Sequence, residues 1–192
     1  MLGLNYYANG VNKMKRQLPK YARQTGDISD NLKIYIEDYV DTFFNHLCDD
    51  AKQEMMGAFL IGEIVHEDAN DYIYVYGALK MKELITKGKD FIIEESEWKN
   101  ACETCKEYFA DAEILGWFVA GDEQYLEVNH NTQKLHQKYF PHEQSVFVTK
   151  NIQNKEEKYY IYKYHNMMEC SGHYIYYENN VEMQNYMISI RK

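Results

Sequence analysis

The order of apolar and polar residues along the chain predicts short helices set among many strands. Alternating or continuous apolar runs predict strands at Lys33–Ile36, Met55–Gly62, Tyr72–Tyr76, Gly116–Phe118, Ser145–Thr149, Lys158–Tyr164 and Gly172–Tyr177. Apolar residues at helical spacing predict helices after Asp38, over Glu94–Ala110 and over Asn131–Tyr139. Helices placed among mostly adjacent strands are typical of an α+β fold.

The chain is predicted to form one domain preceded by an arm. Its 192 residues match the usual length of a single domain. Residues 1–31 differ from the rest, because Pro19 interrupts any long helix and Gly26–Asn31 is rich in turn formers. The arm either lies on the domain or acts as a basic docking segment, and its basic residues are Lys13, Lys15, Arg16, Lys20 and Arg23. The domain itself spans residues 32–192, with a C-terminal extension from about residue 166.

Charge and cysteine content narrow the class of protein. The formal net charge of −9 argues against a general nucleic-acid or membrane-surface binder. No apolar run approaches the ~20 residues that span a bilayer, and the N-terminus lacks a signal peptide. Four cysteines do not make a disulfide framework in a chain of this length. The sequence therefore predicts a cytoplasmic protein without direct membrane insertion.

Two short segments carry a resemblance to a known family. Gly116–Phe118, followed by Asn129–Gln133, resembles the metal-binding core of the MPN (JAB/JAMM) domain family. In active members the strand reads Gly-Trp-Tyr-His-x-His-Pro, and the two histidines and a later aspartate hold zinc. The corresponding positions here are Val119, Gly121 and Asn129, and Asp122 stands where those members have proline.

The resemblance covers roughly residues 32–165. Glu54–Gly62 resembles the family's Glu-x-x-Gly-x-Leu-x-Gly strand, which places Glu54 at the position of the general base. The resemblance implies an MPN/JAB-like fold, a cytidine-deaminase-like three-layer arrangement in which a mixed sheet is flanked by helices.

The chemistry of a zinc hydrolase is missing at these positions. Catalytic zinc needs three protein ligands with lone pairs and an open position for water. Val119 and Gly121 have no side-chain donor atom, and Asn129 offers only a neutral carbonyl oxygen. The sequence therefore predicts no metal, no cofactor and no enzymatic activity, with Glu54 kept in a structural role.

Histidine and cysteine spacing offers no alternative site. His130, His136 and His142 recur every six residues, and residues six apart do not share a helix face. Cys102 and Cys105 have the spacing of a redox or zinc motif, but they lie within a predicted helix and no second pair accompanies them. They are interpreted as small buried apolar residues.

Three functions follow from these observations. The resemblance implies a non-catalytic scaffold module that binds another protein or a second copy of itself. A further hypothesis is that the chain is part of a longer, membrane-anchored polypeptide. Alternatives are a small-molecule or peptide binder using a cleft bounded by Glu54, Trp117 and Asp122, and an isopeptidase with an altered ligand set that draws on His130. Apolar residues in the C-terminal extension suggest either an interface or a further strand and helix; they include Met167, Met168, Tyr176, Tyr186 and Met187.

Overall fold

A computed structural model of the protein describes residues 16–28, 31–52 and 54–191. Its strands are β1 (Ala22–Gly26), β2 (Leu32–Glu37), β3 (Met56–Glu67), β4 (Asn70–Lys80), β5 (Ile85–Lys87), β6 (Asp90–Ile92), β7 (Glu113–Gly121), β8 (Val146–Asn151), β9 (Glu157–Lys163), β10 (Asn166–Cys170) and β11 (Gly172–Tyr176). Its helices are α1 (Asp38–Asp50), α2 (Glu95–Tyr108), α3 (Glu123–Leu126), α4 (His130–Tyr139) and α5 (Val181–Ser189). None of the helices in these described ranges is both long and apolar enough to cross a membrane.

Nine of the strands form one mixed sheet. Their spatial order is β1-β11-β2-β4-β3-β7-β8-β9-β10, and β5 and β6 form a separate hairpin. Neighbours pair in parallel at β11–β2, β2–β4 and β7–β8, and antiparallel elsewhere in the sheet.

The sheet curls because its two ends are covalently close. Strand β10 lies at one edge and β11 lies next to the other edge, yet only Ser171 separates them in the chain. Since successive Cα atoms are about 3.8 Å apart, the two ends must approach each other. The rings of Tyr159 on β9 and His173 on β11 accordingly stack with centroids 4.0 Å apart. The result is a half-barrel.

Helix α1 packs against strands from both halves of the curled sheet. Its Phe44 ring stacks on Phe118 of β7, with centroids 4.2 Å apart and an interplanar angle of 1°. The helix is capped by Glu37, whose carboxylate accepts a hydrogen bond from the backbone N–H of Tyr39, rather than by Asp38 as its sequence suggests.

The opposite side of β7 packs against α2 and α4. Neighbouring residues of a strand point to opposite faces, so Trp117 lies across the sheet from Phe118. Trp98 of α2 contacts Phe59 of β3 edge-on, with ring centroids 5.6 Å apart. Burial on both faces explains why the Gly116–Phe118 region is almost wholly apolar.

The predicted MPN/JAB-like three-layer fold is wrong. The described structure is dominated by a curled nine-stranded mixed sheet accompanied by five short helices. The prediction failed because strands β1, β5, β6 and β10 were missed: all five side chains of β1 are exposed, and β5 and β6 have three residues each. Strands with exposed side chains carry little of the apolar pattern on which sequence prediction depends.

The remaining predicted elements are confirmed in type, with ends shifted by one to a few residues. Within the predicted arm, the structure places Ala22–Gly26 in the sheet, where it pairs with β11. Lys13 and Lys15 lie outside the described residues.

Candidate functional site

The fold gathers the positions of the predicted site at one end of the sheet. Strands β3 and β7 run antiparallel, with Met56 opposite Ala120 and Gly57 opposite Val119. The start of β3 therefore lies beside the end of β7, where α3 and then α4 begin. The structure thus brings the neighbourhood of Glu54 close to Gly121.

Folding contacts occupy the positions where a hydrolase would hold its metal. Val119 is completely buried. A Cβ atom added to Gly121 would lie 1.9 Å from the sulfur of Met55, so the Met55 thioether fills the space that a side chain at position 121 would need. An imidazole at Gly121 has no room without displacement of Met55.

Asn129 is used to start helix α4. Its Oδ1 accepts hydrogen bonds from the backbone N–H of Thr132 at 3.0 Å and from the Thr132 hydroxyl at 3.2 Å, and the backbone N–H of Asn129 donates to the Thr132 hydroxyl oxygen. This reciprocal pair is a capping box, in which the cap side chain satisfies an otherwise unpaired N–H group of the first turn.

The three residues predicted to bound a cleft do not line one together. Trp117 is completely buried, and the Asp122 carboxylate accepts a hydrogen bond from the Gln153 side chain. Glu54 is exposed and lines a cavity of about 390 Å³ whose walls include Met55, Met56 and Met81.

His130, the ligand considered for an altered metal set, is an exposed residue at the start of α4. Within the described ranges, no three His, Cys, Asp or Glu residues are placed to hold a metal ion.

Alanine substitutions at two glycines of β7 should distinguish crowding by the Met55 side chain from crowding by the backbone. Gly121→Ala is expected to lower the free energy of unfolding by about 1–2 kcal/mol, because a flexible side chain must move. Gly116→Ala should cost about 3 kcal/mol or more, because its Cβ would lie 1.8 Å from the backbone oxygen of Val146. Urea unfolding of each variant measures the difference. In the Met55→Ala background the cost of Gly121→Ala should disappear while that of Gly116→Ala persists; equal costs in both backgrounds would refute the contact.

A buried hydrogen-bond chain lies behind the predicted site. The indole Nε1–H of Trp117 donates to Nδ1 of His136 at 3.1 Å, and Nε2 of His136 lies 2.6 Å from the Ser145 hydroxyl. Because an indole can only donate, Nδ1 is the acceptor, and Nε2 carries the proton and donates to Ser145. The Ser145 hydroxyl in turn donates to the carbonyl oxygen of His142 at 2.8 Å.

The Trp117–His136–Ser145 hydrogen-bond chain has a structural role. Burial lowers the pKa of His136 to about 3, so the ring is neutral near pH 7. Both ring nitrogens are engaged, and His136 and Ser145 are almost inaccessible to solvent. This network could not be predicted from the sequence, because the six-residue histidine spacing carries no information about burial.

Most of the predicted interface residues belong to the interior. Tyr176, Tyr186 and Met187 are buried, and the Tyr186 hydroxyl accepts a hydrogen bond from the backbone N–H of Lys80 at 2.7 Å. They pack as the further strand and helix, β11 and α5. In β10, Met168 is 49% exposed and Met167 is partly buried.

The cysteine pair does not form a reactive site. All four cysteines of the chain are free thiols. Cys105 is buried against the sheet side of α2, and burial raises the pKa of its thiol to about 11. A thiol with so high a pKa is a weak nucleophile at neutral pH.

A groove lies between α2 and α5, and its lining includes Tyr186, one of the predicted interface residues. It encloses about 490 Å³, with Phe59, Leu79, Ala101 and Tyr186 among its apolar lining. Lys80, Lys82 and Glu107 contribute charged groups to the same groove. Ile190 also lines it, and Ile190 and the nearby Ile188 are 44% and 57% exposed.

Comparison with known proteins identifies a fold relative but no family. No family model matches the chain, and no curated protein matches it. Among solved structures, protein DSY2949 from Desulfitobacterium hafniense, a structural-genomics target, is similar with a TM-score of 0.52. The match covers 76% of this chain and 93% of that chain at 13% sequence identity. At this identity the likeness is one of fold alone.

Proposed function

We propose that this protein is a non-catalytic interaction module that associates with a second copy of itself through the α2–α5 surface. This surface is defined as the groove between α2 and α5 together with Ile188 and Ile190. The observation that supports the proposal is an apolar groove whose lining includes the exposed Ile190, with the exposed Ile188 two residues before it in the chain.

The α2–α5 surface has the self-complementarity that a two-fold contact requires. In such a contact the same patch serves both copies, so projecting groups and the groove that receives them must lie together. Here the half-exposed Ile190 lines the groove together with Ala101 and Tyr186. Each copy can place its Ile190 in the groove of the other.

Charges around the groove fit the same arrangement. The lining carries both signs, with Lys80 and Lys82 contributed by the end of β4 and the turn after it, and Glu107 contributed by α2. A patch of one sign would repel its copy across a two-fold axis, whereas a mixed rim allows opposite charges to meet.

The non-catalytic part of this proposal is supported by the structural roles of the residues at the predicted metal-ligand positions. Met55 covers Gly121, Val119 is buried, and Asn129 caps α4. A cytoplasmic location is also part of the proposal, supported by four unpaired thiols in the chain.

Charge placed on the isoleucines should prevent self-association. The double variant Ile188→Glu/Ile190→Glu is expected to sediment as a monomer at protein concentrations where the unaltered chain forms dimers, because carboxylates would have to be buried at the contact between the two copies. Tyr164→Glu is the matched control, since Tyr164 is 69% exposed in the β9–β10 turn, and it should leave the dimer intact. A chain that is monomeric at about 200 µM, a concentration permitting even weak contacts, or a dimer insensitive to the double variant, would refute the proposal.

A second candidate function is small-molecule or peptide binding beside Glu54. The supporting observation is the wall of Met55, Met56 and Met81 in that cavity, because methionine side chains adapt to ligands of varied shape. A fragment screen followed by methyl NMR tests it. Shifts confined to these three methionine signals would support binding, and their absence for every fragment would reject it.

A further inference from the structure

A second cavity, distinct from the one beside Glu54, lies against α3 next to the predicted site. It encloses about 320 Å³ between α3 and the β8–β9 hairpin. Thr149 and Asn151 of β8, which line it, pair in the sheet with Val119 and Gly121 of β7. This cavity, called here the α3–β8 cavity, is separate from the α2–α5 surface, so inferences from it do not depend on self-association.

Two hydroxyl groups of the α3–β8 cavity lack partners. Thr149 is 2% exposed and Tyr160 is 9% exposed, and both line the cavity. Neither side chain makes a hydrogen bond with any residue that the structure describes, whereas the hydroxyl of neighbouring Tyr159 donates to Glu157 at 3.0 Å. Buried polar groups in native proteins are almost always hydrogen-bonded. Both hydroxyl oxygens are open to the cavity rather than enclosed by protein, so a ligand in the cavity can supply their hydrogen bonds.

The charges of the cavity select a cation. Glu123 and Glu127 come from α3 and its end, and Glu156 comes from the turn before β9. Lys158 is the one basic lining residue of the described cavity, so the lining carries three carboxylates against one ammonium group. No ion pair within the described ranges involves these three glutamates. A concave site with excess negative charge attracts positively charged ligands.

The apolar lining indicates the form of that cation. Leu126 and Val128 are partly buried against the core, and the Tyr160 ring stacks on Phe147 with centroids 5.8 Å apart. These groups offer hydrophobic contact over a few carbon atoms, as the aliphatic part of an amine requires.

We propose that the α3–β8 cavity binds a primary ammonium group carried on a short aliphatic stem. The ammonium donates hydrogen bonds to the hydroxyl oxygens of Thr149 and Tyr160, and Glu156 with the α3 carboxylates balances its charge. The stem lies against Leu126 and Val128. Either a free amine or the side chain of a lysine in a polypeptide has this chemistry.

Calorimetric titration with small probes tests the proposal. Pentylamine is expected to bind at least about tenfold more tightly than 1-pentanol, which has the same stem without the charge, since a charged hydrogen bond in a partly buried site contributes more than a neutral one. Nα-acetyl-lysine N-methylamide distinguishes the two sources. Tighter binding of this probe than of pentylamine assigns a polypeptide lysine, and weaker binding assigns a free amine.

Matched variants locate the bound amine. Thr149→Val removes only the hydroxyl while keeping a β-branched residue in the strand, and it should weaken pentylamine binding about fivefold or more. Thr25→Val makes the same change on the exposed strand β1 and should have no effect. Ile188→Glu/Ile190→Glu should bind pentylamine normally, so a failure of self-association is distinguishable from a failure of this inference. Equal binding of pentanol, insensitivity to Thr149→Val, or no binding of either amine at a concentration of about 50 mM overturns it.

Discussion

Replacement of His136 by alanine is expected to lower the free energy of unfolding by about 4 kcal/mol. The ring is completely buried, and its loss leaves the Trp117 indole N–H without an acceptor in the interior. It also removes the donor to Ser145 and opens a void next to Phe140, whose ring centroid lies 5.4 Å from that of His136. Urea or guanidinium unfolding measures the change.

His142→Ala provides the control for this loss. His142 is exposed, and removing its side chain should change stability by less than about 0.5 kcal/mol. A cost for His136→Ala as small as that of His142→Ala would show that the Trp117–His136–Ser145 chain does not support the fold.

The same histidine should make the protein sensitive to acid. Its folded-state pKa is lowered from 6.5 to about 3 because burial disfavours the charged ring. The stability that neutral His136 contributes is therefore fully present above pH 6.5, and it is lost as the pH falls towards 3. Linkage gives a slope of about 1.4 kcal/mol per pH unit in that window. His136→Gln, which retains one acceptor and one donor, should remove this contribution, so the difference in stability between the unaltered chain and the variant should shrink as the pH is lowered from 7 to 4.

Glu37→Gln is expected to raise the free energy of unfolding at pH 8 by about 2 kcal/mol. Glu37 is 1% exposed, and its Oε2 accepts hydrogen bonds from the Asn180 side-chain amide at 2.5 Å and from the Tyr39 N–H at 3.0 Å. Its Oε1 is buried without a partner among the described residues. A glutamine oxygen can accept the two existing hydrogen bonds without the cost of burying a charge.

The pH dependence of Glu37 has the opposite sign to that of His136. Burial raises the folded-state pKa of Glu37 from 4.5 to about 7. The protonated carboxyl is thus favoured by folding, and its contribution is fully present below pH 4.5 and lost as the pH rises through 7. Glu37→Gln should remove that loss, whereas Glu169→Gln, at an exposed position of β10, should not. A Glu37→Gln variant less stable than the unaltered chain at pH 8 would contradict the expected charge burial.

These two groups partly cancel between pH 4.5 and 6.5. As the pH rises through this range, His136 adds stability and Glu37 removes it. The unaltered chain should therefore show a nearly flat profile there. His136→Gln should reveal a decline with rising pH, and Glu37→Gln should reveal an increase.

Local patterns predicted the elements of this fold but not their assembly. The apolar runs of β3 and β7 are visible in the sequence because both faces of these strands are buried. The curl depends on Ser171 joining an edge strand to a strand at the far side of the sheet, and no apolar period records that connection. Pairing order is a property of distant segments and cannot be found from the pattern of each one alone.

The candidate site was likewise predictable in part from the sequence. Missing donor atoms at Val119 and Gly121 are evident from residue type, but the Met55 sulfur over Gly121 is a tertiary contact. The apolar C-terminal residues were equally ambiguous in the sequence. Tyr186 and Met187 complete the interior, whereas Ile188, next in the chain, is exposed on the α2–α5 surface.

Hydrogen exchange at two protein concentrations examines the proposed self-association at its location. In concentrated solution, backbone amides of α2 from Asn100 to Tyr108 and of α5 from Asn185 to Ile190 should exchange more slowly than in dilute solution, because these helices line the groove. Amides of the β9–β10 turn around Tyr164 should exchange at the same rate in both. Protection that is independent of concentration along α2 and α5, or that rises only elsewhere in the chain, would contradict an interaction module working through this surface.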